Sequence, residues 1–207
     1  YLARLGWSHG DDEIFSRAQF LEWFDLEHLG KSAAQFDEAK LRWVNAQHLK
    51  TMENAALAAL VQPYLGKQGV AEDSFSPERL QAGVALFKDR CETLQDLAQW
   101  LRAVAIAPDW VSLQTTADWL QHLAPAHLPT VQAALTVLLP KLRECDWEVP
   151  AINAAFKATL QECGLKMPQV AMPVRVLTLG QAHTPSVDAV LYLIGREQVL
   201  ARLQRLG

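Results

Sequence analysis

The chain has 207 residues, of which half are hydrophobic and a fifth are charged. This composition is typical of a folded globular protein and excludes a disordered chain. No apolar run approaches the ~20 residues that a membrane-spanning helix needs, and no signal peptide opens the sequence. The chain starts abruptly with Tyr-Leu-Ala-Arg, without an initial Met. We therefore expect a cytosolic piece of a longer protein.

The formal net charge of −4 by itself argues against nucleic acid as a partner. The charges are unevenly distributed, however. Residues 140–207 contain eight Lys and Arg against six acidic residues, so residues 1–139 carry a net charge of −6. A polyanion is therefore predicted to bind to the C-terminal third of the chain, although the asymmetry is modest.

Helix signals follow one another from residue 16 onward, whereas strand signals are almost absent. Capping residues followed by apolar side chains at helical spacing predict helices that start at Ser16, Asp37, Ser76 and Thr93. Gln19 lies three residues after Ser16, which completes the pattern of a capping box. These signals predict an all-α fold.

Three further helices are predicted at about 117–123, 130–139 and 149–163, and Gly164 suits the end of the last one. Residues near 62–74 and near 125–129 contain prolines or glycines and are candidate boundaries. The short helices are expected to stack in pairs as a bundle or superhelix.

The segment 166–183 has a different pattern, with two prolines, one Gly and no period of 3.6 residues. We interpret it as an extended, ordered loop. Thr184 and Pro185 are then predicted to cap a helix that ends at Gly195, and residues 196–206 form the final helix.

Motifs for common chemistry are missing from the sequence. There is no Gly-rich phosphate loop, no HExxH and no Ser/His/Asp order. The cysteines Cys91, Cys145 and Cys163 form no CxxC pair and lie far from any His, which favours reduced thiols over a zinc site. No complete active site is predicted within the chain.

Four specific motifs occur in order along the chain: LGWSHGD, F-D-x-x-K-L-x-W-x-N, D-R-x-x-T-L and M-P-x-R-x-x-x-x-G, the last followed by T-P. Together they resemble the C-terminal half of bacterial glutamyl-tRNA synthetase, a class I aminoacyl-tRNA synthetase. The resemblance runs from residue 1 to about residue 206. The HIGH-like and KMSKS-like motifs for ATP, which precede LGWSHGD in that family, do not occur here.

The resemblance implies a stem-contact helical region at 1–62 and two anticodon-binding helical subdomains at 63–126 and 127–207. Enzymes of the family join glutamate to tRNA(Glu) with ATP and magnesium, so this part alone would be inactive, without catalytic residues, metal or cofactor. It would select tRNA(Glu) as a cytoplasmic monomer, with no DNA or membrane partner.

The resemblance assigns anticodon contacts to six positions: Arg90, Met172, Arg175, Thr184, Pro185 and Val187. It places Arg90 on the third anticodon base and Arg175 beside the anticodon. Thr184, Pro185 and Val187 match a corner that contacts anticodon bases, and Met172 belongs to the same wall.

The residue chemistry suits this assignment independently. Unstacked anticodon bases expose their Watson–Crick edges, and a guanidinium group offers paired donors to the O2 and N3 acceptors of cytosine. Two structural roles stay open: Arg90 as a surface charge paired with Asp89 or Glu92, and Arg175 as a clamp on backbone carbonyls. A helical protein–protein scaffold is the alternative function.

Overall fold

The computed structural model describes residues 1–30 and 35–206, and this part of the chain is all-α. Its only β-type pairing is an isolated bridge between Trp7 and Leu29. The α-helices, in chain order, are α1 (Arg17–Trp23), α2 (Glu38–Thr51), α3 (Asn54–Lys67), α4 (Pro77–Phe87), α5 (Leu94–Ala105), α6 (Trp110–Leu113), α7 (Ala117–His122), α8 (Leu128–Glu144), α9 (Val149–Cys163), α10 (Met167–Leu179), α11 (Val187–Ile194) and α12 (Arg196–Leu203). Short 3₁₀ helices span Leu2–Leu5, Glu72–Ser74 and Lys88–Arg90.

Local capping signals start the helices of the first half, as predicted. The side chains of Ser16, Asp37, Ser76 and Thr93 each accept a hydrogen bond from a backbone N–H in the first turn of α1, α2, α4 and α5 respectively. Each bond satisfies a donor that has no partner within the helix. The helix that was predicted to end before Gly164 does so, and this residue has the left-handed φ of 65°.

The prediction of an extended loop at 166–183 is wrong, because α10 occupies most of this segment. Pro168 lies in the first turn, where a missing N–H costs nothing. Pro173 lies in the interior, where the ring removes one hydrogen bond but the side chain is buried. Apolar side chains cover almost the whole circumference of α10, so its sequence lacks the period of a half-exposed helix.

Helix α3 was not predicted, since Pro63 and Gly66 were interpreted as breakers. The helix runs through both residues and buries Leu57 and Val61 completely. The proposed boundary after residue 62 thus falls inside α3, while the boundary after residue 126 falls between α7 and α8. The division into three regions stays a prediction.

One continuous apolar core extends from Leu49 to Leu203. Helices α3, α4 and α5 pack against one another on one side of it, and α8, α9 and α12 lie on the other. Helix α11 contacts α4 and α5 as well as α9, and α10 contacts α5, α7, α8 and α9. The α10–α11 segment therefore lies where the two groups of helices meet.

Residues before α2 pack around Trp7, whose ring lies edge-on to Phe15 and Phe20 at centroid distances of 5.9 and 5.3 Å. Helix α1 has no buried residue, and Leu2 and Leu26 are largely exposed. Among the described helices, none is both long enough and apolar enough to span a membrane.

The three thiols differ in their environment. Cys91 is buried, and burial together with the charge of Asp96 raises its pKa to about 12. Cys145 and Cys163 are half-buried. Because the thiolate is the reactive species, we expect a thiol reagent at pH 8 to modify Cys163 and Cys145 well before Cys91.

Mass spectrometry of the peptides over a time course would check this order. In denaturant all three cysteines should react at similar rates, which controls for local sequence effects. Equal rates in the folded protein would contradict the burial of Cys91.

Candidate nucleic-acid interface

Arg175 projects from α10 toward the turn that precedes α11. Its Nη2 donates a hydrogen bond of 3.1 Å to the backbone carbonyl of Pro185, so the clamp that was left open for this residue is present. Its Nε–H is buried and has no acceptor among the described residues. The guanidinium group therefore stabilises the turn.

Met172, Arg175 and Val187 line one concave site, which we call the Arg175 pocket. Its volume is about 240 Å³, and its other walls include Asn153 and Asp188. Asn153 Nδ2 donates to Asp188 Oδ2 at 2.9 Å, which fixes the polar side of the pocket. The structure thus brings together three of the six predicted contact residues.

Asn153 and Asp188 were missed by the sequence analysis. Asp188 lies in the first turn of α11, where an acidic residue is common for helix-dipole reasons, and Asn153 lies on α9. Neither position carries a local signal of binding. Only the packing of α9 against α11 places them beside Arg175.

Thr184 and Pro185 do not cap α11, which corrects the prediction. The N-cap residue is Ser186, and its side chain accepts no capping hydrogen bond. Thr184 is only 8% exposed and donates through Oγ1 to the carbonyl oxygen of Pro185 at 2.8 Å. Both residues are buried in the turn that precedes α11.

Arg90 ends the 3₁₀ helix that follows α4, and its side chain is exposed. In the described part of the chain it forms no ion pair with Asp89 or Glu92. Glu92 instead lies 4.0 Å from Arg42. The structure therefore gives no support to the interpretation of Arg90 as one half of a surface pair.

A second concave site, the Arg90 pocket, is lined by Arg90, Asp96, Gln99, Trp100 and Gln181 and has a volume of about 270 Å³. Asp96, Gln99 and Trp100 come from α5, Arg90 comes from the 3₁₀ helix before it, and Gln181 follows α10. The site lies at the junction between the two groups of helices, which sequence spacing does not reveal.

The Arg90 and Arg175 side chains are neighbours in space. The pKa of Arg175 lies below its ordinary value, first because burial removes water from the guanidinium and second because the positive charge of Arg90 is close. The carboxylate of Asp188 opposes this shift, and Asp96 lies in the Arg90 pocket. Each pocket thus offers both the donors of an arginine and the acceptors of a carboxylate.

Comparison with known proteins decides the family. The model of the anticodon binding domain family matches residues 56–206, which is most of the chain. The chain belongs to the anticodon-binding domain family. The assignment of anticodon contacts to particular residues stays a prediction.

Its relatives confirm the resemblance to glutamyl-tRNA synthetases. The chain is 60% identical over 208 residues to a glutamate–tRNA ligase of Acidovorax sp. (strain JS42) and 58% identical over 206 residues to one of Delftia acidovorans. Each match covers 99% of this chain. The chain spans 42% of the length of these curated relatives.

A solved structure confirms the fold of the anticodon-binding domain. The crystal structure of a glutamate tRNA ligase from Elizabethkingia meningosepticum, in complex with its amino acid, matches with a TM-score of 0.83 and 25% sequence identity. The match covers 99% of this chain and 39% of that one.

Proposed function

We propose that the chain is the tRNA-selecting, C-terminal part of a glutamate–tRNA ligase and that it binds the anticodon of tRNA(Glu). The observation that carries the proposal is the placement of Arg90 and Arg175 in neighbouring pockets of an anticodon-binding domain. An anticodon base that leaves the stack exposes acceptors that these guanidinium groups can bind.

Each pocket has the parts that a base site needs. The Arg175 pocket combines the apolar Met172 and Val187 with the guanidinium group of Arg175. The Arg90 pocket has the ring of Trp100, which lies on Phe87 with a centroid distance of 5.0 Å and an interplanar angle of 13°. Apolar or aromatic walls bind the faces of a base, and the polar groups read its edge.

The proposal places the chemistry elsewhere in the ligase. Among the described residues no group of three or more His, Cys, Asp and Glu side chains is arranged to hold a metal ion. ATP, magnesium and glutamate would be bound by the remaining part of the enzyme. We propose further that the ligase is a cytoplasmic monomer with no DNA or membrane partner.

Binding to RNA tests the proposal. We expect this chain to bind tRNA with a glutamate anticodon weakly at low salt, and the affinity to fall as salt rises, because a few cations displace counterions from phosphates. Replacing one anticodon base should reduce the affinity about tenfold, the scale of a base-reading contact. Fluorescence anisotropy at several salt concentrations measures both effects.

A tRNA with one base pair exchanged in a stem remote from the anticodon is the control and should bind like the parent. Equal affinity for all anticodon variants, or no binding at low salt, would contradict the proposal. The alternative of a protein–protein scaffold is not favoured, because the chain belongs to a family defined by anticodon binding.

A further inference from the structure

A third concave site lies beside the Arg175 pocket, and none of the six predicted contact residues except Met172 belongs to it. It is formed by the end of α7, the start of α8 and the first half of α10, and its volume is about 320 Å³. Its floor is apolar and includes Val131, Met172 and Pro173, and its rim includes His122, His127 and Thr130. We call it the histidine pocket.

The histidine pocket and the Arg175 pocket share a wall. Pro168 and Met172, one turn apart on α10, line both sites. An RNA strand that places one base in the Arg175 pocket therefore passes over this shared wall to reach the histidine pocket. The two sites are continuous parts of one surface of the anticodon-binding domain.

The lining of the histidine pocket suits a base better than a phosphate. Among its described lining residues there is no Lys, Arg, Asp or Glu. The pKa of His122 lies below its ordinary value, mainly because of burial, although Asp118 opposes the shift, while His183 and His127 add to it. At neutral pH the His122 imidazole is thus uncharged and supplies a flat face, one donor and one acceptor.

We propose that the histidine pocket binds a second unstacked base of the RNA loop whose neighbouring base occupies the Arg175 pocket. The inference rests on the proposed function. Met172 and the imidazoles would contact the faces of the base, and the rim would contact its polar edge. The site extends recognition beyond the two arginine pockets, through apolar side chains and imidazole rings.

Filling the pocket tests this proposal. Thr130 is exposed on the rim of the pocket, and Thr136 is exposed on the same helix α8 outside it. We expect Thr130→Phe to weaken binding of the tRNA with a glutamate anticodon about tenfold, the scale of one lost base contact. Thr136→Phe, which introduces the same side chain into α8, should bind like the wild type.

The expected loss has a distinctive salt signature. The slope of affinity against salt concentration should be unchanged in Thr130→Phe, because no phosphate contact is removed. A loss that disappears at high salt would contradict a base site and would instead support a phosphate site.

A scan of the RNA identifies the occupant. The base is removed from one nucleotide of the anticodon loop at a time, and each RNA is titrated with the wild type and with Thr130→Phe. At one position the two proteins should have the same affinity, because the base that the pocket holds is already missing. If the tenfold difference persists at every position, the histidine pocket holds no base.

The absence of a base in the histidine pocket is distinguishable from failure of the proposed function. If the proposed function fails, the wild type binds no tRNA or ignores the anticodon. If only the further inference fails, the wild type still distinguishes anticodon variants, but Thr130→Phe either binds like Thr136→Phe or keeps its tenfold deficit at every position of the base-removal scan.

Discussion

Replacing Arg90 with Gln in the complete ligase is expected to reduce discrimination between tRNA(Glu) and tRNA(Gln) by about 1–3 kcal/mol, the scale of one base-reading contact. Glutamate anticodons end in cytosine and glutamine anticodons end in guanine. Cytosine presents the acceptors O2 and N3, whereas guanine presents the donors N1–H and N2–H at the corresponding part of its edge. Arginine can only donate, so it binds cytosine and opposes guanine.

Glutamine carries both a donor and an acceptor and can turn its amide to suit either base. The exposed position of Arg90, without an ion pair to Asp89 or Glu92 among the described residues, leaves the guanidinium group available to RNA. The measurement is the ratio of kcat/KM for the two tRNAs in wild type and variant.

Arg143→Gln is the matched control for this prediction, because Arg143 is also exposed but lies on α8 away from both arginine pockets. It should leave the ratio unchanged. The hypothesis that Arg90 reads the third base would be abandoned if Arg90→Gln folds normally and keeps the wild-type ratio.

The largest effect on stability is expected at Arg202, which is 2% exposed. Its guanidinium group donates to the carbonyl oxygens of Ala103 and Val104 at the end of α5, at 2.9 and 2.7 Å, and to that of Thr178 near the end of α10, at 2.6 Å. These carbonyls have no partner within their own helices. Burial lowers the pKa of Arg202 to about 10, so the group stays charged at pH 7.

We expect Arg202→Met to lower the free energy of unfolding by about 3–5 kcal/mol, because three buried acceptors lose a charged donor while the methionine preserves the packing of the stem. Urea denaturation measures the change. Arg205 is exposed, and Arg205→Met removes one hydrogen bond to Pro108 and a cation–π contact with Trp110 at 4.8 Å, which should cost about 1 kcal/mol. A loss of stability at Arg202 as small as that at Arg205 would contradict the role of Arg202.

Local signals predicted the helices that begin with a capping side chain, since Ser16, Asp37, Ser76 and Thr93 act within one turn of the chain. These local signals did not predict the helices whose stability comes mainly from tertiary packing. Helix α10 is buried on nearly all sides, so it tolerates Pro173 and shows no amphipathic period. The prolines and glycines that break exposed helices are poor guides to buried ones.

The candidate site was predictable only in part. The resemblance to a known family selected Met172, Arg175 and Val187, which line one pocket. It also selected Thr184 and Pro185, which are buried and do not line that pocket. The motif predicts that a turn occurs there. It does not predict which side chains face outward, because that depends on how α9, α10 and α11 pack together.

The histidine pocket had no signal in the sequence at all. His122 and His127 lie five residues apart, but Met172 and Pro173 follow about 45 residues later on α10. No spacing rule connects these positions. The packing of α10 against both α7 and α8 brings them to one place.

Several arginines form hydrogen bonds within the domain, and this affects how the domain would associate with RNA. Arg175, Arg196 and Arg202 all belong to the positively charged C-terminal third, yet each directs its guanidinium group to a backbone carbonyl. The cationic surface of this third is accordingly smaller than the count of its Lys and Arg residues. Long-range attraction would contribute little to the encounter, and the fit of individual bases at short range would decide which RNA remains bound.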